Sequence, residues 1–562
     1  QGRVASALSR QDKRNVASGA GLTNRNTHQF GGTAGGPVFL PRFGEGTPYL
    51  YDGRNRSFFF VATEFRRNAT PIFGGTGDPQ AVPVPTARMR VGDFSELLRP
   101  GTSRVYQLAN GGTVTAPIGT IFSPEGVPIP GNDLRNCPSC GGFSPFALAY
   151  VNAFPLPNLP GAGRNFRTNR KEGYNLDSYD VKIDHNFTDN NRFFARYSRS
   201  TSARQRDNFF PLGASPNGND LPAGPSAGDE FGNARGFTMG DTHTFGGSVV
   251  NDARFGFTRV DIGIFNTGVN GTGGFDPNVS ANLGARNINL GPTSSGIILF
   301  GIVDELTGTD RATEFTGDGG PFYFTSNNFS FADGLTWVRG TSTFKFGGDL
   351  RVRQNSNFDA GRAGAIKGQY QYGTGAGGFL AGNYSGIPIG PQDSGSGQAN
   401  FLLGYNPAFT SRGTPGTPPF LSNKEIAFFG QDDWKVSPTL TLNLGLRWDL
   451  FTQPTERFDA QANYNPANDT LTRAGEGAPG GRDLVNSDKN NFGPSAGFAW
   501  SGLKEDKTVV VRGGYALKYA VDTPGIPGVL QANSPQGGGY SCSLQQYGTA
   551  ACPQLPARFN LD

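Results

Sequence analysis

Histidine, cysteine and methionine are nearly missing from this 562-residue chain, which has three His, four Cys and two Met. His28, His185 and His243 are far apart, and none lies beside a nucleophile motif, so a Ser–His–Asp triad finds little to draw on. No H-E-x-x-H pair and no D-x-[DN]-x-[DN]-G loop is present, which removes the usual zinc-protease and EF-hand readings. Catalytic, cofactor and metal residues are therefore expected to be none, and the chain does not read as an enzyme. No charge of one sign dominates either. The 49 Lys+Arg and 45 Asp+Glu leave +4, too balanced for the basic stripe of a nucleic-acid binder. Long apolar runs are also missing and mean hydropathy is −0.41, so no transmembrane helix is predicted.

Glycine (84) and proline (40) are abundant, as in disordered chains, but so are 46 Phe and 17 Tyr, which disordered chains lack. Ordered structure is expected. A membrane-spanning strand needs only about 9–11 residues, and every second one faces a wet interior, so a membrane barrel looks hydrophilic on average. Five aromatic residues stand just before tight polar turns: Phe187, Phe245, Trp337, Trp434 and Trp500. Beyond each turn a strand of alternating character follows.

The clearest strand is Thr439 to Leu450. Leu440, Leu442, Leu444, Leu446, Trp448 and Leu450 alternate with Thr441, Asn443, Gly445, Arg447 and Asp449. At about 3.3 Å per residue, Leu440 to Trp448 spans roughly 26 Å, with Trp434 and Trp448 near the two edges of an apolar band. Phe344, Phe346, Leu350 and Val352 alternate with Lys345, Asp349, Arg351 and Arg353, opposite a strand bearing Phe329, Phe331, Leu335 and Trp337. Tyr179, Val181, Ile183 and Phe187 alternate with Asp180, Lys182, Asp184 and Asn186; the pair Phe193–Phe194 in the following strand blurs its face assignment. Ala253, Phe255 and Phe257 oppose Asp252, Arg254 and Thr258, and Val509, Val511 and Tyr515 oppose Arg512 and Lys518. A looser hairpin is predicted from Thr27–Phe39 and Phe58–Phe65, with Gly31 and Gly35 suited to close backbone approach.

Between the hairpins lie long stretches: 68–173, 201–235, 261–320, 354–421 and 452–490. In a compact soluble domain such loops would count against the assignment; on the outer side of a large barrel they are expected. Runs such as Gly373–Gly378 and Ser394–Gly397 read as flexible tips, since neither has the spacing of a phosphate loop and neither is expected to lead into a helix. Cys137 and Cys140, and Cys542 and Cys552, are expected to form two local disulfides in an oxidising compartment; no βαβ pattern or nearby His supports a redox or zinc reading.

These stretches resemble the β-barrel part of TonB-dependent outer-membrane receptors, and most of all the Oar-like members that carry a carboxypeptidase-regulatory-like domain. The resemblance runs through HQFGGTAGGP (His28–Pro37), SFFFVATEF (Ser57–Phe65), VPTARMRVGDFSEL (Val84–Leu97) and FPLPN (Phe154–Asn158). It continues through YDVKIDHNFTDNNRFFARYS (Tyr179–Ser198), Gly240–Arg259, FFGQDDWKVSPTLTLNLGLRWD (Phe428–Asp449) and Asn490–Tyr519. The resemblance implies an all-β, antiparallel up-and-down transmembrane barrel of about 22 strands. It places the protein in the outer membrane of a Gram-negative type bacterium, with long loops outside. It also implies a plug domain before the barrel, coupling to the TonB energy-transducing complex, and uptake of a small or oligomeric ligand. Residues 1–562 then read as a partial barrel, about half, with plug and closing C-terminal strands elsewhere in a longer protein.

The charges expected on the lumen side are Lys182, Asp184, Arg254, Lys345, Asp349, Arg351, Arg353, Arg447, Asp449, Arg512 and Lys518. They form either a wall that touches plug and ligand or a hydrated wall of compensating pairs. The expected interfacial girdle is Phe187, Phe245, Trp337, Trp434, Trp448 and Trp500, and the expected partner of the apolar face is outer-membrane lipid. Two rival readings stand beside the transporter. One is a structural or adhesive surface barrel. The other is a secreted soluble β-protein, in which a second sheet would bury the Leu and Phe of Thr439–Leu450.

Overall fold

The structure is a computed structural model. It describes residues 26–41, 49–71, 81–108, 111–123, 125–167, 171–208, 210–222, 228–285, 291–302, 321–359, 368–372, 388–389, 394–404, 409–413, 419–465, 468–476, 481–484, 487–504, 507–520 and 539–543.

One antiparallel sheet organises the chain. Its path is β1 (Asn26–Pro37), β2 (Ser57–Pro71), β3 (Lys171–Thr188), β4 (Asn191–Arg206), β5 (Gly228–Phe245) and β6 (Val249–Asn266), continuing through β7 (Phe322–Arg339), β8 (Ser342–Asp359), β9 (Phe420–Ser437), β10 (Leu440–Phe451), β11 (Asn491–Lys504) and β12 (Lys507–Ala516). Every strand pairs with its sequence neighbour, the up-and-down order, and β1 and β12 are edges that do not meet. Tight turns join β3–β4, β5–β6, β7–β8 and β9–β10 at one end, where the connection 38–56 between β1 and β2 also lies, and the connections after β2, β4, β6, β8 and β10 leave from the other.

Strand length departs from the sequence expectation. Several strands run 18 residues, about twice what a bilayer requires. The connections between these strands therefore run 72–170, 207–227, 267–321, 360–419 and 452–490. Apolar alternation stops at the top of the lipid band, but the hydrogen-bond ladder does not, because polar side chains continue to pair across it.

The register settles the faces. Leu444 pairs with Asp432 and Ala496, Leu446 with Gly430 and Pro494, and Trp448 with Phe428 and Phe492. The same face continues through Phe346, Leu335, Phe331 and Phe255 to Met239, Ala195, Ile183 and Phe59. Its large side chains stand uncovered: Leu446 is 51% exposed and Phe428 60%. Among the described residues no second sheet covers them, contrary to what the soluble-protein reading expects. The face is not uniformly apolar, however. Asp241, Asp333 and Asp432 lie on it toward the turn end, where Asn191 donates to Asp241 (3.0 Å), Asn251 to Asp333 (2.8 Å) and the Ser342 hydroxyl to Asp432 (3.3 Å). The Phe193–Phe194 ambiguity also resolves: Phe193 is on the apolar face opposite His185 and Asp241, and Phe194 on the opposite face. There the Phe194 ring fills the space above Gly240, where a Cβ would come within 2.5 Å of it.

The long connections form a second region with its own core. Met89, Phe94, Leu97, Ile129, Phe146, Tyr150, Phe154, Phe210, Val279, Ile297 and Phe401 share one buried cluster, drawn from four separate connections. Short helices belong to it, among them α1 (Pro145–Val151) and α2 (Gly397–Leu402). Ser396 is buried and its hydroxyl accepts from the Ala399 amide to cap α2. The stretch Ser394–Gly397 is thus no flexible tip, and it does lead into a helix. Gly373–Gly378 lies outside the described residues.

Candidate functional site

Lys182, Asp184, Arg254, Lys345, Asp349, Arg351, Arg353, Arg447, Asp449 and Arg512 share the face opposite the Leu and Phe rows, through an unbroken chain of cross-strand pairs. Lys518 follows β12, just past Leu517, whose amide donates to the Pro494 carbonyl. Most of these charges are compensated. Arg447 holds Asp349 (3.0 Å) and Asp449 (2.9 Å); Arg351 and Arg353 each hold Glu425 at 2.9 Å. Lys345 holds Asp433 (2.9 Å), which also accepts from Asn443 (2.6 Å) and Gln431 (2.8 Å). Lys182 pairs with Asp184 (2.7 Å), and Arg254 with Asp252 (2.6 Å). Among the described residues Arg512 and Lys518 have no carboxylate partner. Asp349, Arg351, Arg353, Glu425, Arg447 and Lys518 line a cavity of about 530 Å³ with one more cation than anion once Asp449 is counted.

Glu425 and Asp433 escaped the sequence reading, while Asp252 and Asp180 stand in it on the polar faces without being paired to Arg254 and Arg196, the latter two residues, Asp180 and Arg196, meeting at 2.7 Å. Their parity on the same face was available as a signal. Which cation Glu425 and Asp433 would meet was not, because Arg351 and Lys345 lie 74 and 88 residues away and only register brings them together.

The aromatic residues Phe187, Phe245, Trp337, Trp434 and Trp500 stand at the turn end of the apolar face, where Trp337 packs on Phe344 with ring centroids 5.6 Å apart. Trp448 is at the other end, stacked on Phe428 at 6.2 Å, and its indole N–H donates to the Lys489 carbonyl (2.8 Å). At the turn end His185 Nδ1 lies 2.6 Å from the Ser57 hydroxyl, which is 2.6 Å from the Tyr51 hydroxyl. No local pattern announces this contact across 128 residues. Among the described residues no carboxylate joins this contact.

In the loop region Arg90 joins two of the stretches that carry the family resemblance. Its guanidinium is buried and donates to the carbonyls of Pro85 (3.2 Å), Phe154 (3.0 Å) and Pro155 (2.7 Å). Burial lowers its pKa to about 10, which leaves it charged at neutral pH. Asn132, fully buried, accepts from the Ile121 amide (2.8 Å) and donates to the Gly119 carbonyl (2.7 Å). Asn165 does the same for both polar groups of Val84. Gly119 has φ of 87°, and a Cβ there would fall 2.0 Å from the Leu97 carbonyl oxygen. Cys137 and Cys140 are joined by a disulfide at the edge of this core. The expected Cys542–Cys552 pairing lies outside the described residues.

A protein family described as an outer membrane beta barrel domain matches residues 9–560. The chain belongs to that family, and its place is the outer membrane, with membrane lipid against the apolar face. Comparison with curated proteins finds no match. Among solved structures the chain is similar to the outer membrane transporter YddB from Escherichia coli, at 10% identity and a TM-score of 0.33, over 90% of this chain and 49% of that one. It is similar to FpvA of P. aeruginosa, solved with heterologous pyoverdines, at 8% identity and 0.33, over 86% and 40%. It is also similar to the translocator domain of the autotransporter NalP from Neisseria meningitidis, at 9% and 0.20, over 67% and 80%. The chain spans less than half the length of the first two.

Proposed function

We propose that this chain is the barrel part of a TonB-dependent receptor of the Oar-like kind, importing a ligand across the outer membrane under energy supplied from the inner membrane. The supporting observation is the charged face: a continuous wall of compensated ion pairs with a cavity at its edge, on the side opposite the lipid rows. Wet, mixed-charge walls suit a lumen that must contact a plug and pass a ligand without holding it. In this reading the plug precedes residue 1, further strands close the sheet, and the folded connections stand over the mouth. Arg512 and Lys518, which among the described residues have no carboxylate partner, are wall cations able to meet plug or ligand. The packed core of the connections favours one rival, an adhesive barrel presenting that region as a rigid binding surface.

The two readings separate by experiment. The longer reading frame is examined for a plug and a TonB box, and the full-length protein is placed in liposomes exposed to L-arabinose. A plug with its coupling segment, and no swelling, supports import. A frame without them, or free swelling, overturns it.

A further inference from the structure

Where the apolar face ends on the long-connection side, three arginines stand side by side. Arg199 pairs with Arg235, and Arg235 with Arg259, so they occupy one row across β4, β5 and β6. The row continues to Tyr179 on one flank and Asn327 on the other. The row directly beneath is Val181, Tyr197, Phe237, Phe257 and Phe329, the last apolar row before the change. From Trp337 at the turn to Asn327 is ten residues, roughly 33 Å along a strand and about 25 Å across a membrane at the usual tilt. The arginines therefore stand at the boundary of the lipid band on the side of the long connections.

Like charges directly opposite one another destabilise a sheet unless an anion is shared between them. This face supplies too few. Asp261 is held by Arg259 through both oxygens (2.9 and 3.0 Å) and also accepts from Thr325 (2.9 Å). Asp177 is engaged by Arg67 at 2.5 Å. Among the described residues neither Arg199 nor Arg235 makes a direct ion pair, although Asp261 feels the charge of Arg235 at longer range, and both arginines are exposed. Four cations and two carboxylates leave a surplus of two positive charges at this level of the face.

Taking the orientation of the proposed function, with the long connections outside, we propose that Arg199 and Arg235, beside the Asp261-paired Arg259, form a docking site for the phosphate groups of a phosphorylated glycolipid in the outer leaflet. The occupant follows from the two adjacent rows. Phosphate matches the planar, forked guanidinium donors, and acyl chains match the aromatic row immediately below. A soluble anion would use the first row only. A protein partner would need the aromatic row to be shielded from lipid.

The test uses the full-length protein purified from outer membranes in mild detergent, with bound lipid counted by native mass spectrometry. The probe is a bisphosphorylated glucosamine-disaccharide lipid, alongside its dephosphorylated form and inorganic phosphate. Arg199→Gln combined with Arg235→Gln lowers retention of the phosphorylated lipid by about tenfold, as expected for losing charge-assisted contacts. Arg339→Gln, on the same face at the turn end, leaves retention unchanged. Heat-modifiable gel mobility establishes that each variant is assembled. If the double variant fails to assemble, Arg235→Gln alone carries the same expectation at smaller size. The proposal is overturned by equal retention in wild type and variants, by equal binding of the dephosphorylated lipid, by inorganic phosphate displacing the lipid fully, or by a bound protein in its place.

Discussion

The sheet and the region built from its long connections solve the same problem in opposite ways. On the sheet, Leu444, Leu446, Phe346 and Phe428 are between 46% and 60% exposed, because their partner is lipid and not protein. In the connections, Phe146, Tyr150, Phe154 and Phe401 are at most 2% exposed, because these segments must bury their own apolar surface against one another. The sheet takes its order from a ladder whose register one slip would invert. The connections take theirs from packing plus a few buried polar staples. Damage should therefore spread differently in the two regions: through core loss in one, and through contact with hydrocarbon in the other.

The largest effect is expected in the packed region. Tyr150→Ala or Phe154→Ala should cost about 3–5 kcal/mol there. Limited proteolysis should then cut the connections while the barrel keeps its heat-modifiable mobility; loss of both together would mean that the two regions fold as one. Arg90→Ala should follow at ~3 kcal/mol, since it strands three buried carbonyls, and Arg90→Lys should recover only part of this because lysine lacks the planar fork. On the sheet, Leu444→Arg should cost roughly 2–4 kcal/mol near mid-bilayer, whereas Asn443→Arg, one residue away on the charged face, should fold normally in a urea titration of the membrane-inserted protein. Equal costs for the two would refute the face assignment.

How much of this was legible depends on the range of the signal. Period-two alternation is local, so the strand around Leu440–Leu450 and the shared face of Arg447 and Asp449 could be read directly. So could the turn-side aromatics. The upper halves of the strands could not, because Asp177, Arg199 and Arg259 break the apolar alternation while the backbone ladder continues. The packed region was hidden for another reason. Val84, Phe154, Ile297 and Phe401 meet across more than 300 residues, and no periodic pattern announces such a meeting. Gly- and Ser-rich composition suggested mobility at Ser394–Gly397, where Ser396 in fact caps a buried helix.

The ion pairs of the charged face should matter little to stability. Lys345→Met, which removes the partner of Asp433, should cost about 1 kcal/mol or less, because the pair is partly solvated and Asp433 keeps Asn443 and Gln431. A larger loss would mean that the lumen side is drier than a wet wall.

The smallest expected effect sharpens the contrast through pH. In the packed region, hydrogen bonds hold three carboxylates below their ordinary range. The chief cause is the Ser95 contact for Asp93, Arg135 for Asp133 and the Ser139 hydroxyl (2.7 Å) for Glu125. A depressed acid contributes stability above its unfolded value, here 3.8 for the aspartates and 4.5 for the glutamate, and loses it as pH falls through the lower folded value. The segment from Gly92 to Cys140 should therefore open to hydrogen exchange below about pH 4, before the strand ladder does. Asp133→Asn removes one of these titrations and should flatten the acid dependence of that segment while leaving β8–β10 unchanged. An acid transition that reached both regions at the same pH would show that the packed connections draw their stability from the barrel beneath them and not from their own core.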